Sequence, residues 1–280
     1  MQLTENKGFK GILKKVFFYL MILFIAALFF SPILWMFFTS TQPYRNLRDL
    51  TFSLKDTNFS AYTAMINNAA FLRSLKASFI ISLGSSLLSM AVAILAAYAA
   101  TFYTFKGRDA LVMSTLTIQM APAVLLMIPI FIICAKTGLS GTYPGLILVL
   151  TLFIGPMICW MLRTYFKDVP RELFDSALID GCSRTSIIYR IVLPLVRPGL
   201  VACFIYAFIC AWNEVLITII LCNSQTTTLT VYAATYTTSY EVDYASLAAL
   251  GIFASVPSIL MVIVFNRQLI QGLMEGAVKG

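Results

Sequence analysis

The chain has 280 residues, 60% of them hydrophobic and 11% charged, with a mean hydropathy of +0.87, against roughly 45–50% and about 25% in soluble domains. That excess of apolar surface excludes a soluble globule and reads as an integral membrane protein, all-α in class. The net charge of +8 belongs with basic residues flanking membrane spans rather than with a nucleic-acid surface.

Other chemistry is excluded by what is missing. Histidine is absent, which removes Ser-His-Asp and Cys-His catalysis and histidine metal ligation. The six cysteines show no C-x-x-C spacing, and most lie in or at the ends of apolar runs, so packing is their expected role. With no Gly-Lys dipeptide there is no Walker A loop. No cofactor is expected on this chain, and any ATP and Mg²⁺ it depends on must sit on a partner.

In chain order, residues 1–15 form a short basic terminus and Val16 to Phe38 a first uncleaved span. Residues 39–70 are too polar to span. They read as a loop followed by a short interfacial helix with Tyr62, Met65, Ile66 and Ala69 at helical spacing, either an outer contact surface or a connector on the bilayer. A core over 71–266 then holds five further runs: about Ala77 to Thr101, Ala110 to Ala135, Tyr143 to Leu162, Gly199 to Cys222 and Ala245 to Asn266. Each is long enough at 1.5 Å per residue to cross about 30 Å of hydrocarbon, which gives six transmembrane helices. Placing both termini inside puts fourteen Lys and Arg inside and six outside, so the expected topology is N-in, C-in, with residues 267–280 a cytoplasmic tail.

Inside the runs, Gly84, Ser85, Ser86 and Ser89 make a small-residue face suited to close helix packing. Thr115, Thr117 and Gln119 either line a polar path or bond between helices. Glu214 is the one ionisable residue well inside a run, where an acid costs on the order of 2.5–3.5 kcal/mol. With Asn213 it is either a pathway or gate residue or a partner in a structural hydrogen bond.

The connection over 163–198, about 36 residues between the fourth and fifth spans, is the most heavily charged segment between spans. Pro170 suits a helix start, and Leu173, Phe174, Ala177 and Leu178 then share one face up to Asp180. Gly181 can take the left-handed turn that ends a helix. Ser183 or Thr185 can cap a second helix carrying Ile187, Ile188, Ile191 and Val192 on one face, closed by Pro194 and Pro198. Two apolar faces with nothing else of this chain to cover them predict a docking surface.

Asp175, Ser176 and Ala177, three residues, Gly181, nine residues, then Ile191, Val192, Leu193 and Pro194 resemble the EAA loop of type I ABC importer permeases. That pattern runs Glu-Ala-Ala, three residues, Gly, nine residues, Ile-x-Leu-Pro. The departures are Asp and Ser at its head. Ala211, Trp212, Asn213 and Glu214, the ending from Gly272 to Gly280, and Tyr143, Pro144 and Gly145 make the chain similar to the second permease of the maltose-type carbohydrate subgroup.

The resemblance implies a multi-pass subunit of the bacterial plasma membrane that forms a path for a sugar, oligosaccharide or polyol. It implies a second homologous permease, a dimer of ATPase subunits and an extracytoplasmic solute-binding protein as partners. Glu172, Phe174, Asp175, Ser176, Ala177, Asp180, Gly181, Ile191, Leu193 and Pro194 would form the coupling helix seated on the ATPase. The segment Asn223 to Tyr244 would reach the binding protein, and the tail the ATPase interface. A glycerol phosphate importer shares the coupling loop, and an ion-coupled secondary transporter is the alternative from another class.

Overall fold

The computed structural model describes residues 5–49, 51, 53–120, 122–237 and 242–277. Among these the protein is all-α, with one isolated bridge, Thr237 to Val242, as its only extended pairing. Fourteen helices follow in order: α1 (Glu5–Ser40), α2 (Tyr44–Arg48), α3 (Ser60–Ile66), α4 (Ala69–Phe102), α5 (Arg108–Gln119), α6 (Ala123–Lys136), α7 (Tyr143–Lys167), α8 (Arg171–Ile179), α9 (Arg184–Ile187), α10 (Leu193–Leu195), α11 (Arg197–Trp212), α12 (Leu216–Leu221), α13 (Leu229–Tyr232) and α14 (Tyr244–Ala277). They divide into two compact units, residues 1–67 with 236–253, and residues 68–235 with 254–280.

In the first unit, α1 carries a 27-residue apolar stretch from Lys14 to Ser40. Its side chains from Val16 to Trp35 are largely exposed, as suits a helix whose solvent is lipid. The segment after it buries Leu47, Ala61 and Met65 and is also held by its own polar groups. The Asn46 amide donates to the Asp56 carboxylate at 3.2 Å, the Ser53 amide to the Gln42 side chain at 3.2 Å, and the Ser40 and Tyr62 hydroxyls share a bond at 2.6 Å. The expected short helix is α3, where Met65 is buried and Ile66 exposed; Ala69 instead opens α4 behind the Asn68 cap.

The second unit is built on α4, α7 and α11. The serine stripe of α4 (Ser78, Ser82, Ser85, Ser86 and Ser89) is buried along its length. At Gly84 an added Cβ would stand 2.6 Å from Ile147 Cδ1. Small side chains therefore let α4 and α7 approach closely, which is how helices associate where lipid removes any hydrophobic drive between them. Ile81, Leu150, Ile158, Leu162, Phe166 and Cys203 fill the seam.

Four described helices are long and apolar enough to cross a membrane: residues 14–40, 69–102, 143–167 and 244–268. The third and fifth apolar runs, expected as continuous spans, are each interrupted. Pro122 separates α5 from the 14-residue α6, because proline lacks the donor that would continue the ladder. The fifth run breaks between Trp212 and Leu216 with neither proline nor glycine present. Asn213 and Glu214 turn their side chains onto the backbone instead, the Asn213 amide to the Ile209 carbonyl at 2.9 Å and the Ile217 amide to Glu214 Oε1 at 3.0 Å.

Candidate functional site

The connection from Val169 to Pro198 is assembled by local chemistry. Pro170 precedes the first turn of α8 with φ −57° and ψ 132°. At the other end Gly181 takes φ 79°, its N–H bonds to the Leu178 carbonyl, and the Cys182 N–H reaches the Ala177 carbonyl at 3.0 Å. This pair of bonds is the Schellman closure, which satisfies carbonyls a helix end would otherwise leave open. Ser183, not Thr185, then caps α9 by accepting from the Ser186 amide at 3.2 Å.

Pro194 does not end the second helix as expected. Residues Ile188–Val192 widen into a π turn, with the Leu193 N–H bonded to the Ile188 carbonyl, and α10 continues through Pro194. One wider turn takes up the proline in place of a break. The chain then bends by 83° between Leu195 and Arg197, where Pro198 lies in the first turn of α11.

The expectation that both apolar faces lie uncovered is corrected. Ile187, Ile188 and Val192 are buried, Ala177 is buried, and Ile191 and Leu193 are half-buried against the core. Phe174 turns inward and stacks on Phe102 with centroids 5.0 Å apart and planes 16° apart. Tyr98 and Phe166 extend this cluster, and the Arg184 guanidinium covers the Tyr103 ring at 4.9 Å. These contacts clamp the loop to the ends of α4 and α7.

What the loop presents outward is a different set. Glu172, Asp175, Ser176, Asp180, Gly181 and Pro194 are exposed, as are Leu173 and Leu178, and Ile179 is 87% exposed. Ile179 escaped the sequence reading because it falls off the Leu173, Phe174, Ala177 face. Its signal was a large apolar side chain directly before the Asp180, Gly181 stop. Close by, the buried Arg163 pairs with Asp109, whose hydrogen bond holds the Asp109 carboxyl below the usual carboxylate range.

The second candidate site surrounds the break in the fifth run. A cavity of about 190 Å³ is lined by Gln119, Leu150, Phe153, Ile154, Met157, Tyr206, Cys210, Glu214 and Ile217. The fold thus brings together two of the three expected pathway residues, Gln119 and Glu214. Asn213 is exposed and committed to the Ile209 carbonyl. Thr117 bonds its own helix, while Thr115 lines a separate cavity of about 810 Å³ between α4, α5, α6 and α7 whose walls are almost wholly aliphatic. Sugar hydroxyls need hydrogen bonds that such a wall does not offer. Trp212 is buried on Phe208 and donates to the Ala254 carbonyl at 2.9 Å.

Glu214 is tied into the break from two directions. Its backbone carbonyl accepts from the Thr218 and Thr230 hydroxyls, each at 3.0 Å. Thr230 belongs to the segment from Asn223 to Tyr244, in which Tyr232 is buried near Phe71; Tyr240 lies outside the described residues. The tail is helical to Ala277, and Val278, Lys279 and Gly280 lie outside the described residues.

The described residues thus form an all-α protein with several membrane-length apolar helices and a structured loop folded against the ends of α4 and α7. Residues 89–273 match the binding-protein-dependent transport system inner membrane component family, and the chain belongs to it. It is 32% identical to the trehalose transport system permease protein SugB of Mycobacterium tuberculosis over 89% of this chain and 92% of that one. It is 35% identical to the arabinooligosaccharides transport system permease protein AraQ of Halalkalibacterium halodurans over 71% of each. A chain of a bacterial ABC transporter that imports the acidic polysaccharide alginate has the same fold, with a TM-score of 0.76 at 18% identity over 96% of this chain and 99% of that one. The protein is an ABC transporter permease, a multi-pass component of the inner membrane.

Proposed function

We propose that the chain forms, with a second homologous permease, the path by which a sugar, oligosaccharide or polyol delivered by an extracytoplasmic binding protein enters the cell. Its relatives named for trehalose and arabinooligosaccharide support the substrate class. ATP and Mg²⁺ belong to a separate ATPase dimer, and the chain meets it through the outer face of α8 on the cytoplasmic side. The observation that carries this reading is the two-sided loop. Phe174 and Ala177 anchor α8 inward, while Leu173, Leu178 and Ile179 stand outward beside Glu172, Asp175 and Asp180.

A helix so clamped moves with α4 and α7, so a displacement of its outer face is passed to the membrane helices instead of being absorbed by a slack loop. The departures at Asp175 and Ser176 keep one carboxylate and one small side chain on that outer face, so the polar rim stays pairable. An ion-coupled transporter would be expected to concentrate ionisable groups at mid-membrane, and only Glu214 is offered.

The test is Leu178→Glu with Ile179→Glu in the assembled transporter. The ATPase should no longer copurify, while membrane insertion and the thermal stability of the permease stay close to wild type. Retention of the ATPase would overturn the docking surface.

A further inference from the structure

We propose that the cavity at the break of the fifth run is a charge-selective constriction that admits neutral or cationic solutes and rejects carboxylated, sulfonated or phosphorylated ones, with Glu214 as the specificity-determining residue. The proposal rests on the permease reading and deepens it. Nothing in the family match or in the relatives' names assigns a role to this residue.

Hydrogen-bond capacity sets what the lining can offer a solute. The Gln119 amide nitrogen donates to the Phe153 carbonyl. The orientation of the amide follows, since its oxygen could not face another carbonyl oxygen, and the oxygen is left as the free group. Glu214 Oε1 takes the Ile217 amide, which leaves its second oxygen as an acceptor. The Tyr206 hydroxyl and the Cys210 thiol complete the polar lining, neither of them a carboxylate or a cation. Glu214 is the one carboxylate there, beside the Gln119 oxygen. No Lys or Arg is among the lining residues.

Size turns this into selection. At about 190 Å³ the cavity holds roughly six waters at about 30 Å³ each, and is below the ~300–1,000 Å³ of ordinary ligand pockets. A solute group that enters so small a space sheds most of its water. Leu150, Phe153, Ile154 and Met157 make low-dielectric walls, and a single carboxylate in such walls focuses its field across the opening. Hydroxyl and ammonium groups meet acceptors there. An anionic group meets a like charge with no cation to offset it.

Cys210, in the same lining, allows a test that does not depend on knowing the solute. In the assembled transporter, the rates at which Cys210 reacts with a trimethylammonium-ethyl and a sulfonato-ethyl methanethiosulfonate are measured by mass spectrometry of its peptide. Each is normalised to the rate with free 2-mercaptoethanol. The ratio cancels the reactivity of the thiol itself and reports the local field.

The normalised cation-to-anion ratio should be about tenfold or more in the wild type. It should fall to near one in Glu214→Gln and be retained in Glu214→Asp. A ratio that Glu214→Gln does not change, or a Cys210 that neither reagent reaches in any variant, overturns the proposal. The Glu214→Asp arm separates loss of charge from loss of fold. If the ratio collapses as expected while the Leu178, Ile179 variant keeps its ATPase, the docking surface fails and the constriction stands. The opposite pair of results leaves the permease reading intact and removes the charge selection.

Discussion

The loop around α8 and the break between α11 and α12 solve the same problem, ending a helix in the middle of a structure, in opposite ways. At α8 the backbone closes itself, with Gly181 left-handed and two amide-to-carbonyl bonds. The side chains are then free to face a partner on one side and the core on the other. At the α11 break no residue with special backbone freedom is present, and side chains do the closing: Asn213 caps backward, Glu214 forward, and Thr218 and Thr230 satisfy the Glu214 carbonyl. A turn closed by backbone makes a rigid part that can transmit force. A turn closed by side chains commits those side chains to structure, and leaves only the second Glu214 oxygen uncommitted.

Substitutions at three positions sharpen this contrast beyond the two tests above. The largest effect is expected from Phe174→Ala, which removes the stack on Phe102. A fully buried Phe to Ala costs about 3–5 kcal/mol, and half-burial reduces this to about 2 kcal/mol. It should lower the thermal midpoint of the permease itself, whereas the Leu178, Ile179 variant should not. Equal midpoints for the two would mean that α8 has no inner and outer face.

Gly181→Ala comes next. Nothing lies within 4 Å of an added Cβ, so its cost is the left-handed backbone alone, about 1–2 kcal/mol, with Gly181→Asn costing less. A denaturant or thermal series of the two variants checks the order. The smallest effect is Glu214→Ala, which loses a side-chain cap worth about 1 kcal/mol, while Glu214→Gln keeps an acceptor and should stay near wild type in stability. A larger loss in Glu214→Gln than in Glu214→Ala would show that the carboxylate does more in the fold than accept one bond.

Much of this was legible without coordinates. The helical extent of α8, its stop at Gly181, a cap at Ser183 or Thr185 and the serine face of α4 follow from spacing and from the few residues able to make each turn. Pro122 marks a break that the count of apolar residues alone passes over. The interruption at Asn213 and Glu214 carried a weaker sign: an acid in an apolar run, whose penalty is reduced when the carboxylate finds a backbone donor.

Local sequence could not say which side of α8 would be covered. Leu173, Phe174, Ala177 and Leu178 satisfy one helical face equally well, and burial split them only because Phe102 and Tyr98 stand where α4 ends. Nor could it pair Gln119 with Glu214, which lie on helices far apart in the chain and share a cavity through the packing of α5, α7 and α11. Composition, periodicity and capping determined an all-α membrane protein with a glycine-closed loop, because those are short-range properties of the backbone. Tertiary packing decided which side chains are left over to meet a partner or a solute, because that depends on what every neighbouring helix has already covered.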